Sequence, residues 1–180
     1  MSKKNILLGV SGSISAYKAC DLVRRIREEG FNVTVVMTPS AAKLVQPLTL
    51  QVLSDNPVYT DMFGDRPSMA HIRLAEDAEM FVIAPATAHR IGLMAAGLAP
   101  DLLSTLALSF QGHVLIAPAM NTNMWKHPSV QENVNILMKR GIKVMTPPAG
   151  KLACGMSGEG RLPDIDDIVD EMLSILKKKH

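Results

Sequence analysis

Several absences narrow this 180-residue chain before any motif is read. It has only two cysteines, too few for a disulfide framework, so a cytosolic protein with free thiols is expected. No apolar run approaches the ~18 residues of a membrane span. The opening MSKKNILLGV is broken by Gly and Ser too soon to read as a signal peptide. Charge of one sign is also missing: 19 Lys and Arg stand against 17 Asp and Glu, a net of +2. The basic residues are not massed on one segment, so neither nucleic acid nor a membrane is an expected partner. The terminal KKKH is expected to hang in solvent after a last helix. Neither G-x-G-x-x-G nor G-x-x-x-x-G-K-[ST] occurs, which weakens the classical dinucleotide and ATP readings. His113 and His127 have no metal-ligand spacing with each other or with the cysteines, so no metal is expected.

What is present is an alternation of apolar strands with helices. NILLGV (5–10) is nearly continuous apolar, as in a strand covered on both faces. NVTVVM (32–37), MFVIAPA (80–86), HVLIAPA (113–119) and KVMTPP (143–148) continue the series. The first helix carries Ala16, Ala19, Cys20, Val23 and Ile26 on one stripe, with Gly30 at its expected C-terminal stop. Further helices are expected over 40–53, 70–77, 90–108 with a break near Pro100, 128–140 and 164–178, the last with acids in its first turn. Such alternation predicts right-handed βαβ units and a mostly parallel sheet in one domain, residues 1–180. The stretch PPAGKLACGMSGEGRLP (147–163) is rich in Gly and Pro and reads as a long, partly mobile loop.

Ligands of such sheets bind beyond the carboxyl ends of the strands. That rule selects SGSIS after the first strand, Thr38-Pro39-Ser40 after the second, Pro85 to Arg90 after the third, and Pro118 to Asn121 after the fourth. At the first, Gly12, Ser13 and Ile14 open a helix whose N–H groups favour an anion, with Ser11 and Ser13 adding hydroxyls; an ordinary serine cap reads the same residues without a ligand. Thr38 and Thr87 can be caps or contacts. His89 and Arg90 suit either a ligand or an exposed turn. His71 lies near the start of a helix that buries Ile72, Leu74 and Ala75, and a lone histidine there is either a base or a surface residue. Cys20 reads as a small core residue and the methionines mostly as core filler. Cys154 sits in the glycine-rich loop, where an accessible thiol suits proton donation or nucleophilic attack. Asn121, flanked by Met120 and Met124, can grip a carboxylate without a full counter-charge.

GVSGSISAYK, AHIRLA around His71, APATA, AAGLAPDLL, PAMNTNMW and LACGMSGEGR occur in that order over nearly the whole chain. In these segments the chain resembles the homo-oligomeric flavin-containing cysteine decarboxylases, most closely the branch that serves coenzyme A biosynthesis. PAMNTNMW together with the Cys154 loop is the specific part of the match. The resemblance implies a Rossmann-like three-layer α/β sandwich of flavodoxin-like, flavoprotein type, and a trimer or a dodecamer of trimers with FMN near the subunit interface. It implies cofactor contacts at Gly12, Ser13, Ile14, Thr38, Ser40, Pro85, Thr87, Ala88, His89, Ser104 and Ala119. His71 corresponds to the base, Asn121 to the carboxylate grip with Met124 beside it, and Cys154, next to Ala153, to the proton-donating thiol of a flap over the substrate. The implied substrate is a small thiol carboxylate, oxidised to a thioaldehyde that loses CO₂ as an ene-thiolate before the final protonation. A fused or separate synthetase is the implied partner.

The family segment after the third strand often carries Asn and Thr where this chain has His89 and Arg90, so the flavin contacts of those two positions depart from the pattern. A peptidyl-cysteine oxidative decarboxylase is the first alternative; the retained Cys154 argues against it. A non-enzymatic flavin-binding regulatory subunit is the second, and the joint presence of His71, Asn121 and Cys154 argues against it. Flavin prenyltransferases share the expected fold and FMN but lack the PAMNTNMW and Cys-loop combination. Trp125 is expected to pack, at a subunit contact or within the chain.

Overall fold

The computed structural model describes residues 4–62, 70–153, 155 and 157–177. Six strands form one parallel sheet: β1 (Asn5–Val10), β2 (Asn32–Met37), β3 (Val58–Tyr59), β4 (Ala78–Ala86), β5 (His113–Pro118) and β6 (Lys143–Val144). Their spatial order is β3-β2-β1-β4-β5-β6. The chain therefore winds outward in both directions from β1 and β4, whose ends bound the crevice where doubly wound sheets bind ligands. Adjacent strands pair in parallel throughout, Leu8 opposite Val35 on one side and Val82 on the other.

The continuous apolar strands are explained by helices on both faces. Ile6, Leu8 and Val10 of β1 point into a core closed by α1 (Ala19–Glu28) and α9 (Ile165–Lys177). Leu7, with Phe81 and Ile83 of β4, points into the opposite core, under α5 (Ala88–Ala96), α6 (Leu102–Ser109) and α8 (Pro128–Lys139). Alternate residues of one strand thus enter different cores, as the period of two requires. Phe81 and Phe110 meet edge to face with centroids 5.8 Å apart, the arrangement favoured by the ring quadrupole. Trp125 lies in this second core and is buried. Cys20 is only half-buried beside the first core; burial pushes its thiol up, and the charge of Asp21 adds to that.

The expected three-layer α/β sandwich is present, with local differences. The helix expected over 40–53 is two, α2 (Pro39–Ala42) and α3 (Pro47–Ser54). Gln46 precedes a proline and takes an extended conformation, with ψ 131°, which splits them. The expected helix over 90–108 is the pair α5 and α6, separated around Pro100. The expected strand 143–148 pairs only at Lys143–Val144, because Pro147 and Pro148 have no N–H to give a ladder. β3 is a two-residue edge strand too short to show a pattern. Helix α4 (Ala70–Glu76) lies where expected, and a short helix, α7 (Thr122–Lys126), follows β5. Helix α1 ends as expected: Gly30 takes φ +87°, a left-handed value that closes the helix without a Cβ penalty.

The largest departure is at 147–163. This segment contains an antiparallel hairpin of β7 (Ala149–Lys151) and β8 (Ser157–Glu159), with Ala149 opposite Glu159. Its foot is anchored: Met120 N–H donates to the Gly160 carbonyl at 2.9 Å. A Cβ on Gly160 would stand 2.3 Å from the Met120 carbonyl oxygen, and Gly160 has φ +130°, so this close crossing requires glycine. Gly158 packs as closely on Thr122, where a Cβ would lie 2.6 Å from Oγ1. Among the described residues, no helix is long and apolar enough to cross a membrane.

Candidate active site

The ends of β1 and β4 are fastened to each other by one buried serine. Ser11 Oγ donates to the Pro85 carbonyl at 2.7 Å, and the Thr87 N–H donates to Ser11 Oγ at 2.9 Å. Ser11 was expected to offer its hydroxyl to an anion; it is 1% exposed and tied to the neighbouring loop instead. Ser13 caps a short 3₁₀ segment, Ile14–Lys18, accepting from the Ser15 N–H. Thr87 caps α5, accepting from the Arg90 N–H at 3.3 Å. Two capped starts therefore open at the same crevice.

Gly12 is closed off on one side. A Cβ there would lie 2.5 Å from Ser40 Cβ, so only bare backbone fits between the β1 loop and the turn after β2. Thr38 caps α2, accepting from the Ala41 N–H at 3.1 Å. The short polar segments after β1, β2 and β4 thus form a backbone-rich cradle, the chemistry that suits a phosphate.

The cradle opens into a cleft of about 900 Å³, ample for a nucleotide-sized cofactor together with a small substrate. Gly12, Ser13, Ile14 and Thr87 line it at one end, and Ala119, Asn121, Met124 and Ala153 also border it. These eight are expected site residues that the fold brings together. Asn121 caps α7: its Oδ1 accepts from the Asn123 N–H at 2.8 Å, which fixes the carboxamide at the mouth of β5. Ala119 is held against the end of β4 by its N–H, which donates to the Ala86 carbonyl at 3.0 Å.

Other expected contacts do not line the cleft of this chain. Thr38, Ser40, Pro85, Ala88 and His89 do not line this cleft; Pro85 is buried with its carbonyl taken by Ser11, and His89 is exposed. His71 is half-buried on α4, a helix that packs against α6, and it does not line the cleft of its own chain. Cys154 lies outside the described residues.

Ser104 and Arg90 form a structural group. Arg90 is 1% exposed and its guanidinium grips Asp101 with two parallel bonds, Nη1 to Oδ1 at 2.9 Å and Nη2 to Oδ2 at 2.6 Å. Ser104 lies against Arg90 Nη1 and donates to Asp101 Oδ1 at 2.7 Å. The exposed-turn reading of Arg90 fails because the helix start carries its side chain under the α5–α6 connection. Burial works against the Asp101 charge, yet the bonds from Arg90 and Ser104 outweigh it and lower the carboxyl from 3.8 to about 2. A depressed carboxylate stabilises the fold above its unfolded pKa and loses that contribution as pH falls through the folded value. The pair is therefore expected to add roughly 2 kcal/mol near neutral pH, and this disappears between about pH 4 and pH 2. Asp101→Asn should remove that acid-sensitive part in urea titrations across this range and cost about 3 kcal/mol at pH 7, because Arg90 is left buried and unpaired. A variant with wild-type stability at pH 7 would contradict this.

Residues that sequence patterning missed complete the cleft. Tyr17 and Lys18 lie on the 3₁₀ segment, while Lys151, Leu152 and Arg161 come from the hairpin and its foot. Tyr17 and Lys18 fall off the apolar stripe used to read the helix. The hairpin carried no strand signal in its glycine-rich sequence.

The flavoprotein family model matches residues 1–177. The coenzyme A biosynthesis bifunctional protein CoaBC of Bacillus subtilis is 46% identical over 182 residues, spanning 100% of this chain and 44% of that protein. This chain thus spans less than half the length of that relative. A probable phosphopantothenoylcysteine decarboxylase of Streptococcus mutans is 44% identical over 94% of this chain and 97% of its own length. Among solved structures, a cysteine-to-serine mutant of PPC decarboxylase complexed with pantothenoylaminoethenethiol superposes with a TM-score of 0.89 at 29% identity, covering 98% of this chain and 100% of that one. The peptidyl-cysteine decarboxylase EpiD superposes with a TM-score of 0.84 at 26% identity, covering 96% and 99%.

Proposed function

The chain belongs to the flavoprotein family, and from that premise we propose that it is an FMN-dependent carboxy-lyase converting 4′-phosphopantothenoylcysteine to 4′-phosphopantetheine in coenzyme A biosynthesis. The observation that carries this reading is a single cleft with a backbone cradle at Gly12 and Ser13, a fixed carboxamide at Asn121, and hairpin residues bordering both. The names of the coenzyme A relatives support the substrate, and those of FMN-dependent neighbours at 29% identity support the cofactor.

The residues present fit FMN. Gly12, Ser13 and Ile14 with the start of α5 at Thr87 would hold the phosphate, and Ala119, small and buried, lets a flat ring approach the end of β5. Bound there, FMN would supply reversible hydride transfer with the thiol-bearing CH₂ carbon of the substrate. Asn121 donates from its amide to the substrate carboxylate and holds it until CO₂ leaves; its cap to Asn123 keeps that donor aimed. Met124 packs beside the carboxylate and Ala153 covers the substrate from the hairpin. Cys154 returns the proton to the ene-thiolate carbon and His71 acts as base. The segment 147–163 is the clamp of a single FMN-binding domain over residues 1–180. Because His71 does not line its own cleft, the site is completed by a second copy of the chain, in a trimer or a dodecamer. A synthetase domain or protein is the partner that supplies the substrate.

Purified protein should be yellow and release FMN on denaturation, read by absorbance and mass. Colourless protein that cannot be reconstituted with FMN would overturn the reading.

A further inference from the structure

The cleft has a charge pattern that the decarboxylation chemistry leaves unused. Lys18, Lys151 and Arg161 line it, and no Asp or Glu does among the described residues. Arg161 is engaged: Nη2 donates to Asp164 at 3.0 Å, and its guanidinium lies against Gly150, where a Cβ would be 3.1 Å from Nη1. Among the described residues, Lys18 and Lys151 have no ion-pair partner. They come from different bodies. Lys18 ends the 3₁₀ segment that starts at the cradle, and Lys151 ends β7 of the hairpin. Five residues at about 2 Å each put Lys18 roughly 10 Å along the axis from Ser13, at the opposite end of the segment from the cap.

We propose that Lys18 and Lys151 form a divided site for the phosphoryl group at the far end of the substrate, one lysine on the fixed floor and one on the hairpin. This rests on the decarboxylase reading and adds the determinant of its preference for a phosphorylated substrate. The substrate is anionic at both ends. Asn121 takes the carboxylate by a neutral amide, which leaves the cations for the dianionic end. A phosphoryl group between the two ammonium groups would bridge the 3₁₀ segment and the hairpin, whose Leu152 and Ala153 line the same cleft. Two ammonium groups in a cleft that no Asp or Glu lines among the described residues also raise the local potential, which favours the dianion over a neutral alcohol.

The shared chemistry, a phosphoryl group, has two sources: the substrate and FMN. The test uses the FMN-loaded protein and calorimetric binding of 4′-phosphopantetheine and pantetheine, so turnover is not required. Wild type should favour the phosphorylated thiol by about a hundredfold, one tenfold step per charge-assisted contact. Lys18→Gln and Lys151→Gln should each remove about tenfold of that preference, the double variant should abolish it, and Lys151→Arg should retain most of it. A preference kept in both glutamine variants overturns the inference. So does a parallel loss of FMN affinity with the preference intact, which assigns the lysines to the flavin phosphate. Wild type that binds neither thiol refutes the decarboxylase reading itself, a result distinct from either.

Discussion

Gly12→Ala is expected to weaken FMN binding by about a hundredfold while leaving the fold in place. The added methyl would stand 2.5 Å from Ser40 Cβ and 3.3 Å from the Ser40 carbonyl carbon. The clash is relieved only by pushing the β1 loop into the cradle or the turn after β2 away from it. Overpacking of this kind costs about 1–3 kcal/mol, and here the cost falls on the geometry proposed to hold the phosphate. The first atom struck is a side-chain carbon, so Gly12→Ala combined with Ser40→Gly should recover most of the affinity. That double variant separates steric closure of the cradle from general damage. Fluorescence titration of apoprotein with FMN, alongside circular dichroism, reads both. Wild-type affinity in Gly12→Ala would mean that the phosphate lies elsewhere.

Asn121→Asp is expected to lower kcat/KM by about a thousandfold at neutral pH. The substitution keeps an oxygen at Oδ1, so the cap to the Asn123 N–H survives, since Asp caps as well as Asn. What changes is the grip. The donor proposed for the substrate carboxylate is lost, worth about 1.5–3 kcal/mol, and a like charge takes its place. The variant should regain activity as pH falls, because a protonated Asp can donate again. Asn121→Ala, by contrast, loses the cap as well, costs about 1 kcal/mol of stability, and should show no such rescue. Steady-state kinetics against pH distinguish these outcomes; unchanged turnover in Asn121→Asp would remove Asn121 from the site.

Much of the framework was legible because buried parallel strands and short polar strand ends leave strong patterns. NILLGV, NVTVVM and HVLIAP stand as strands, and the ends carrying Gly12, Thr87, Ala119 and Asn121 meet at one crevice. What was not legible depended on tertiary contact. Arg90 read equally as a ligand contact or an exposed turn, but its partner Asp101 lies at the next helix start, eleven positions away, and only packing unites them. Ser11 looked like a ligand contact, yet its partners lie 74 and 76 residues away. The hairpin at 149–159 is held by Gly158 and Gly160 crossing the 120–122 segment, a close approach that glycine permits and no hydrophobic period announces. Lys18 and Lys151 were read only as parts of motifs, since nothing in sequence puts a 3₁₀ turn and a hairpin on the same cleft. His71 shows the limit of a single chain: a sequence motif can name a candidate base, but α4 does not bring it to the cleft of its own chain.

The most direct measurement of the central claim is the mass of the product formed from phosphopantothenoylcysteine by the FMN-loaded protein. The site described here predicts a product lighter by one CO₂ alone, 4′-phosphopantetheine, with no net change in the redox state of the flavin after turnover. Unchanged substrate would contradict the assignment as a decarboxylase. A product lighter by CO₂ and two further hydrogens would identify an oxidative decarboxylase that leaves the ene-thiol, and would contradict a final reduction and protonation at this site.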